Sequence, residues 1–159
     1  MTQKKLARAL KGAAILVLLL VIAFFYLLIP EFGRELAWNT PDYAHLFWWY
    51  LGPIWACSIP ILLALGYFWG ICTRIGRDQS FCHENAKALD RIGSLALLDT
   101  ALSLAATILL ALFTPMHISF LILEVFIVMV GIVMTVVCAA LSRLVEKAAQ
   151  IKDENDLTI

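Results

Sequence analysis

Two carboxylates, Asp99 and Glu124, stand inside long apolar runs of this chain. An acid in such a run can bind a cation, pass a proton, or stay protonated and hydrogen-bond to a neighbouring helix. No Lys, Arg or His lies in the same runs to pair with either one. A third cluster opens the stretch "SFCHENAKALDRIGSLALLDT", residues 80–100, where Cys82, His83 and Glu84 follow one another. Thiol, imidazole and carboxylate are the groups of metal sites and cysteine nucleophiles. Their spacing argues against both uses. Adjacent residues on a helix point about 100° apart, so Cys82 and His83 cannot share a proton there. One Cys-His pair plus the distant Cys72 is also a poor match to a structural zinc site. We therefore expect no catalytic residues, no metal and no cofactor, and read the chain as not an enzyme.

The elements that must carry these residues follow from composition. The chain has 159 residues, 62% hydrophobic and only 15% charged. Soluble domains are about half apolar and a quarter charged, so a membrane protein comes first. Twelve basic residues balance twelve acidic ones, which gives no argument for direct nucleic-acid binding. A bilayer core of about 30 Å needs roughly 20 apolar residues as helix. Four runs qualify, at about 12–30, 46–72, 92–113 and 118–141. In lipid such runs satisfy their backbone only as helix. The expected fold is an all-α, four-helix transmembrane bundle forming a single domain over 1–159, with extensions of helices three and four beyond the membrane.

Basic residues set the expected orientation. Lys4, Lys5, Arg8 and Lys11 precede the first run; Arg74, Arg77, Lys87 and Arg91 lie between the second and third; Arg143, Lys147 and Lys152 follow the fourth. Only Arg34 falls on the other side, so both termini are expected in the cytoplasm. A secretory signal peptide is the rival reading of residues 1–30, but the run is long and lacks a small-x-small cleavage site. Trp38, Tyr43, Trp48, Trp49 and Tyr50 read as an interfacial aromatic belt. Cys57, Cys72, Cys82 and Cys138 all fall in the runs or on the cytoplasmic side, where disulfides are not expected.

Small residues indicate which faces meet. Gly93, Ala96, Thr100, Ser103 and Thr107 make one stripe on the third run; Gly131, Thr135, Cys138 and Ser142 make another on the fourth. Glu124 lies on the fourth-run stripe and Asp99 flanks the third, so both acids should face protein. Burying an ionisable group in a span costs on the order of 3 kcal/mol, which makes each a functional candidate. At 1.5 Å per residue, their levels differ by roughly 10 Å, too far to share a proton. Each then needs its own partner: Tyr67 matches the depth of Asp99, and Trp55 or Tyr26 that of Glu124. Two readings stay open. In one, Glu124 accepts a proton or cation from outside and Asp99 relays it inward; in the other, both acids are protonated and structural. Pro53 and Pro60 remove hydrogen bonds from the second helix, and Pro60 is a candidate bend.

The 80–91 stretch reads as a helix start. Ser80 or Cys82 can cap it, Glu84 falls in the first turn where the dipole favours an anion, and Phe81 can anchor the turn by packing. A helix from Phe81 to Arg91 is expected to continue into the third span. Beyond Leu141, the residues Leu144, Val145, Ala148 and Ile151 form an apolar stripe that could pack on this segment. The closing "DLTI" is β-prone and could add to a partner's sheet edge; the plainer readings are a frayed tail or one folded back on its own bundle.

The run "FCHENAKALDRIG" before an apolar span, with "KDENDLTI" at the end, resembles the bacterial domain-of-unknown-function family 2975. The resemblance rests on Phe81, Glu84 and Asn85 as an F-x-x-E-N motif and on the tail Glu154, Asn155, Asp156, Leu157, Thr158 and Ile159. Similar members carry Ser where this chain has Cys82. The resemblance implies four spans in a bacterial cytoplasmic membrane but no established activity. Relatives are often encoded beside a small helix-turn-helix regulator, which implies a cytosolic partner of that kind docking at the motif and tail. Two functions follow as expectations. One is a sensory or regulatory membrane protein acting with such a regulator. The other is a small proton-coupled transporter or exporter, a homo-oligomer built around Asp99 and Glu124 with Tyr67, Thr100 and Ser103.

Overall fold

The apolar runs close their backbone hydrogen bonds within single helices, and the computed structural model describes four of them. It covers residues 2–31, 33–34, 47–113 and 118–157. The stretch holding Trp38 and Tyr43, the side chains of Trp49 and Tyr50, the 114–117 connection, and Thr158 and Ile159 lie outside the described residues. Helix α1 (Gln3–Ile22) continues through a π-helical turn, Ala23–Leu28. Helices α2 (Phe47–Ile75), α3 (His83–Phe113) and α4 (Ile118–Leu157) follow. No strand occurs among the described residues. Each helix is long and apolar enough to cross a membrane. At 1.5 Å per residue, the 40 residues of α4 reach about 60 Å, twice a bilayer core.

Contacts run in chain order: α1 packs on α2, α2 on α3 and α3 on α4. Among the described residues, α1 makes no close backbone contact with α3 or α4. The pairs are antiparallel. A Cβ on Gly76 would lie 3.2 Å from Ala7, the Lys11 ammonium sits 5.1 Å over the Trp69 ring, and Tyr26 meets Ser58 at 3.0 Å. The start of α1, the α2–α3 connection and the end of α4 therefore share one end of the molecule, with eleven of the twelve basic residues. We call it the basic end.

The π-turn leaves one carbonyl to be met from the next helix. Ile29 N–H bonds Phe24 O, five residues back. The donor that would serve Phe25 O in the same pattern belongs to Pro30, which has no N–H. Trp55 Nε1 donates to that carbonyl instead, at 2.9 Å. The Trp55 ring stacks on Tyr26, and Ser58 Oγ donates to Trp55 O at 2.7 Å, so Tyr26 O–H donates to Ser58 Oγ. Ser58 is fully buried. The carbonyl left open beside Pro30 is thus met from α2.

The α3–α4 seam is built on small residues, which let backbones approach. Ala86, Gly93 and Thr100 recur every seven positions on α3 and face Ser142, Cys138 and Gly131 on α4. Ser142 Oγ donates to Ala86 O at 2.8 Å, and Thr135 Oγ1 donates to Gly131 O at 2.9 Å. A Cβ on Gly131 would collide with Thr100 Oγ1.

Candidate functional site

Two polar sites stand out, one at the basic end and one inside the α2–α4 apolar layer. At the basic end, α2 closes with a Schellman turn. Gln79 N–H bonds Arg74 O at 3.0 Å, Asp78 N–H bonds Ile75 O at 3.1 Å, and Asp78 takes the left-handed conformation at φ 61°. The connector then enters α3 with Cys82 as N-cap, its carbonyl accepting from Asn85 and Ala86 N–H. Asn85 is 2% exposed and clamps this turn. Its Nδ2 donates to Gln79 O at 3.1 Å and Ser80 O at 2.9 Å, and its Oδ1 accepts from Arg74 Nη1 at 3.4 Å. Both ends of the amide are satisfied, which is what permits its burial.

His83, at the first position of α3, reaches α4 with both ring nitrogens. Nδ1 lies 2.8 Å from Glu146 Oε1 and Nε2 lies 3.1 Å from Asp153 Oδ2. Two ionised carboxylates can both accept only if both nitrogens carry protons. The bond to Glu146, then that to Asp153, accordingly hold the imidazole above its ordinary pKa. Glu84 beside it is held below the usual carboxylate range by its own backbone N–H, then by the Cys82 thiol, with Arg74 and His83 adding to the effect. Phe81, Arg74, Glu84, Lys152 and Asp153 line a groove of about 460 Å³ around this histidine.

Several sequence expectations change here. Phe81 does not anchor the turn; it is 57% exposed, because the buried Asn85 already holds the connector. Leu144 and Ile151 do not face α3, being 64% and 51% exposed. The contact line on α4 passes instead through Ser142, Glu146, Ala149 and Asp153, since the tight Ala86–Ser142 approach and the His83 bonds fix the helix rotation. Asp156 and Leu157 continue α4 rather than forming a strand, and Glu154 and Asn155 are exposed on it. The carboxylate partners of His83 were missed because they lie 63 and 70 positions away; their spacing of seven on one helix face was the available signal.

Inside the apolar layer, Ser103 Oγ lies 3.1 Å from Glu124 Oε1 and 3.0 Å from Thr100 O, two acceptors that compete for its single proton. Thr100 is buried and bonds Ala96 O at 2.8 Å. Asp99 Oδ1 is buried and has no hydrogen-bond partner among the described residues. The Asp99 and Glu124 carboxyls lie within electrostatic reach of each other and of Cys57 on α2. Asp99, Thr100, Ser103 and Glu124 thus form one polar patch. Tyr67 is not part of it and does not partner Asp99. Its hydroxyl accepts from Arg91 Nη1 at 3.1 Å, and the guanidinium lies 5.3 Å from its ring centroid, because a cation at the wet edge is the stronger partner. Trp55 and Tyr26 do not serve Glu124 either; they are committed to Phe25 O and Ser58.

The model for the family described as Protein of unknown function (DUF2975) matches residues 31–159. The chain belongs to the DUF2975 family. In this DUF2975 protein the match spans α2, α3, α4 and both polar sites, and leaves out α1 and the π-helical turn that follows it. No curated protein and no solved structure matches the chain.

Proposed function

We propose that this DUF2975 chain is a multi-pass regulatory protein of a bacterial cytoplasmic membrane. Both termini lie in the cytoplasm, and it acts through a cytosolic partner such as a helix-turn-helix regulator, without touching nucleic acid itself and without catalysing a reaction. The observation that carries this reading is the exposed Phe81 at the groove of the basic end. An aromatic ring left 57% exposed beside Arg74, Lys152 and Asp153 resembles a binding anchor inside a polar rim. Asn85 and His83 hold the turn beneath it, so the anchor stands on a fixed base. The positive-inside rule supports the orientation, since eleven of twelve basic residues share this end.

Capture from native membranes tests it. The full chain should retain a small helix-turn-helix protein, and Phe81→Ala or deletion of Glu154 to Ile159 should release it. Equal retention by all three chains would remove the groove and tail from the reading.

A second reading, a proton-coupled transporter or exporter working as a homo-oligomer, draws on Asp99. Its unpartnered buried oxygen beside Glu124 and Cys57 resembles a proton or cation site. Proton flux in liposomes that disappears in Asp99→Asn favours it; unchanged flux excludes it.

A further inference from the structure

The flank of the basic end carries a second groove, of about 550 Å³, between α3 and α4. Four cations line it, Lys87 and Arg91 from α3 and Arg143 and Lys147 from α4, against the two acids Asp90 and Glu146. Glu146 is already engaged by His83. None of the four cations forms an ion pair among the described residues. Four unpaired cations in one concave site, opposed by one uncommitted acid, are an uncompensated positive field. The chemistry that relieves it is a phosphate anion, which accepts from several Lys and Arg donors at once.

We propose that this groove binds the phosphate of an anionic phospholipid headgroup. Its level in the fold selects the lipid over a soluble phosphate. Arg91 immediately precedes the apolar segment that starts at Ile92, and Arg143 follows the one that ends at Leu141. The groove therefore sits where the apolar parts of both helices stop, at headgroup height. Above it, on the same helix faces by three- and four-residue spacing, Leu97 and Leu98 on α3 and Val133 and Val136 on α4 are each about half exposed or more. A lipid with its phosphate among the four cations can lay an acyl chain along these side chains. Tyr67 prepares the site by fixing Arg91 through its hydroxyl and ring. Ser142, whose hydroxyl is tied to Ala86 O, ties the two helices together at the groove. The site is independent of the cytosolic-partner reading and involves neither Phe81 nor the tail.

The test uses the purified full chain in neutral detergent, with bound lipid counted by native mass spectrometry. The probes are phosphatidylglycerol, phosphatidylcholine and inorganic phosphate. Each basic side chain near an anionic lipid surface contributes about fivefold in affinity. Replacing Lys87, Arg143 and Lys147 together by Gln should therefore weaken phosphatidylglycerol binding about a hundredfold and bring it to the phosphatidylcholine level. All three side chains are exposed. An equal charge loss at Lys4, Lys5 and Arg8 should leave binding within twofold, and helical circular dichroism should be unchanged in both variants. Equal binding of the two lipids by the natural chain, or retention of phosphatidylglycerol by the triple Gln variant, overturns the proposal. Displacement of phosphatidylglycerol by millimolar inorganic phosphate also overturns it, and reassigns the groove to a soluble anion.

Discussion

His83 Nδ1 sits 2.8 Å from Glu146 Oε1, joining the first turn of α3 to α4 across 63 positions of sequence. The same ring reaches Asp153 with its other nitrogen, so one side chain grips two turns of α4. The grip needs the imidazolium. A histidine whose folded pKa is raised stabilises the structure fully below its unfolded pKa of about 6.5. That contribution is lost as pH rises through the higher folded value. Hydrogen exchange of the α4 amides between residues 144 and 155 should therefore speed up as pH rises through that window, after correction for intrinsic rates. His83→Gln should abolish the pH step. A step that persists in His83→Gln assigns it to another group.

Asn85 is the residue of the motif whose loss should cost most. Asn85→Ala leaves Gln79 O and Ser80 O without their donor, and Arg74 without its acceptor. A buried unsatisfied group costs about 1–3 kcal/mol. Thermal unfolding in detergent should fall by several degrees. Asn85→Asp should not rescue it, since a carboxylate cannot donate to two carbonyls. Glu84→Gln, exposed at the same turn, should shift the transition far less.

Gly131 and Thr100 are matched across the α3–α4 seam. Gly131→Ala drives a methyl into the Thr100 hydroxyl and should cost about 1–3 kcal/mol, the usual range for overpacking. Thr100→Ala in the same chain should recover part of that loss. A double-mutant cycle read by unfolding in micelles measures the coupling, which should be at least about 0.5 kcal/mol. Strict additivity would mean that the two residues do not meet.

Asp99 should weaken the fold it sits in. Its Oδ1 is buried with no partner among the described residues, so Asp99→Ala removes an unsatisfied group and should raise unfolding stability by about 1–3 kcal/mol. Glu124→Gln keeps an acceptor for Ser103 and should change stability by less than about 1 kcal/mol. A destabilised Asp99→Ala would show that the carboxyl holds the helices together.

Asp78 holds a positive φ that glycine adopts without strain. Asp78→Gly should stabilise the α2–α3 turn by up to about 1 kcal/mol, read as a higher midpoint in thermal unfolding.

The helices were legible because their signal is local: apolar runs of the right length, and small residues at heptad spacing. The stripes holding Gly93, Thr100, Gly131 and Cys138 could be read for the same reason, since period alone places them. The partners were not legible. Tyr67 has the right depth for Asp99, but depth says nothing about a competing guanidinium about two turns nearer the water. Phe81 has the right position for a packing anchor, but a buried amide four residues later already does that work. Residue type and height restrict a side chain to a neighbourhood, and competition among polar groups decides which neighbour it takes.

Among the described residues, each helix makes close backbone contact only with those beside it in the chain, so the molecule can be completed in the order of its synthesis. No late segment must thread between earlier ones, and the mean sequence separation of its contacts stays low, which favours rapid assembly. The exceptions are the ties at the basic end. The Ala86 carbonyl and both nitrogens of His83 wait for donors and acceptors 56 to 70 residues downstream. The last turns of α4 are therefore the ones that fasten the entrance of α3, and a chain cut just after Leu141 would hold all four apolar segments and no latch.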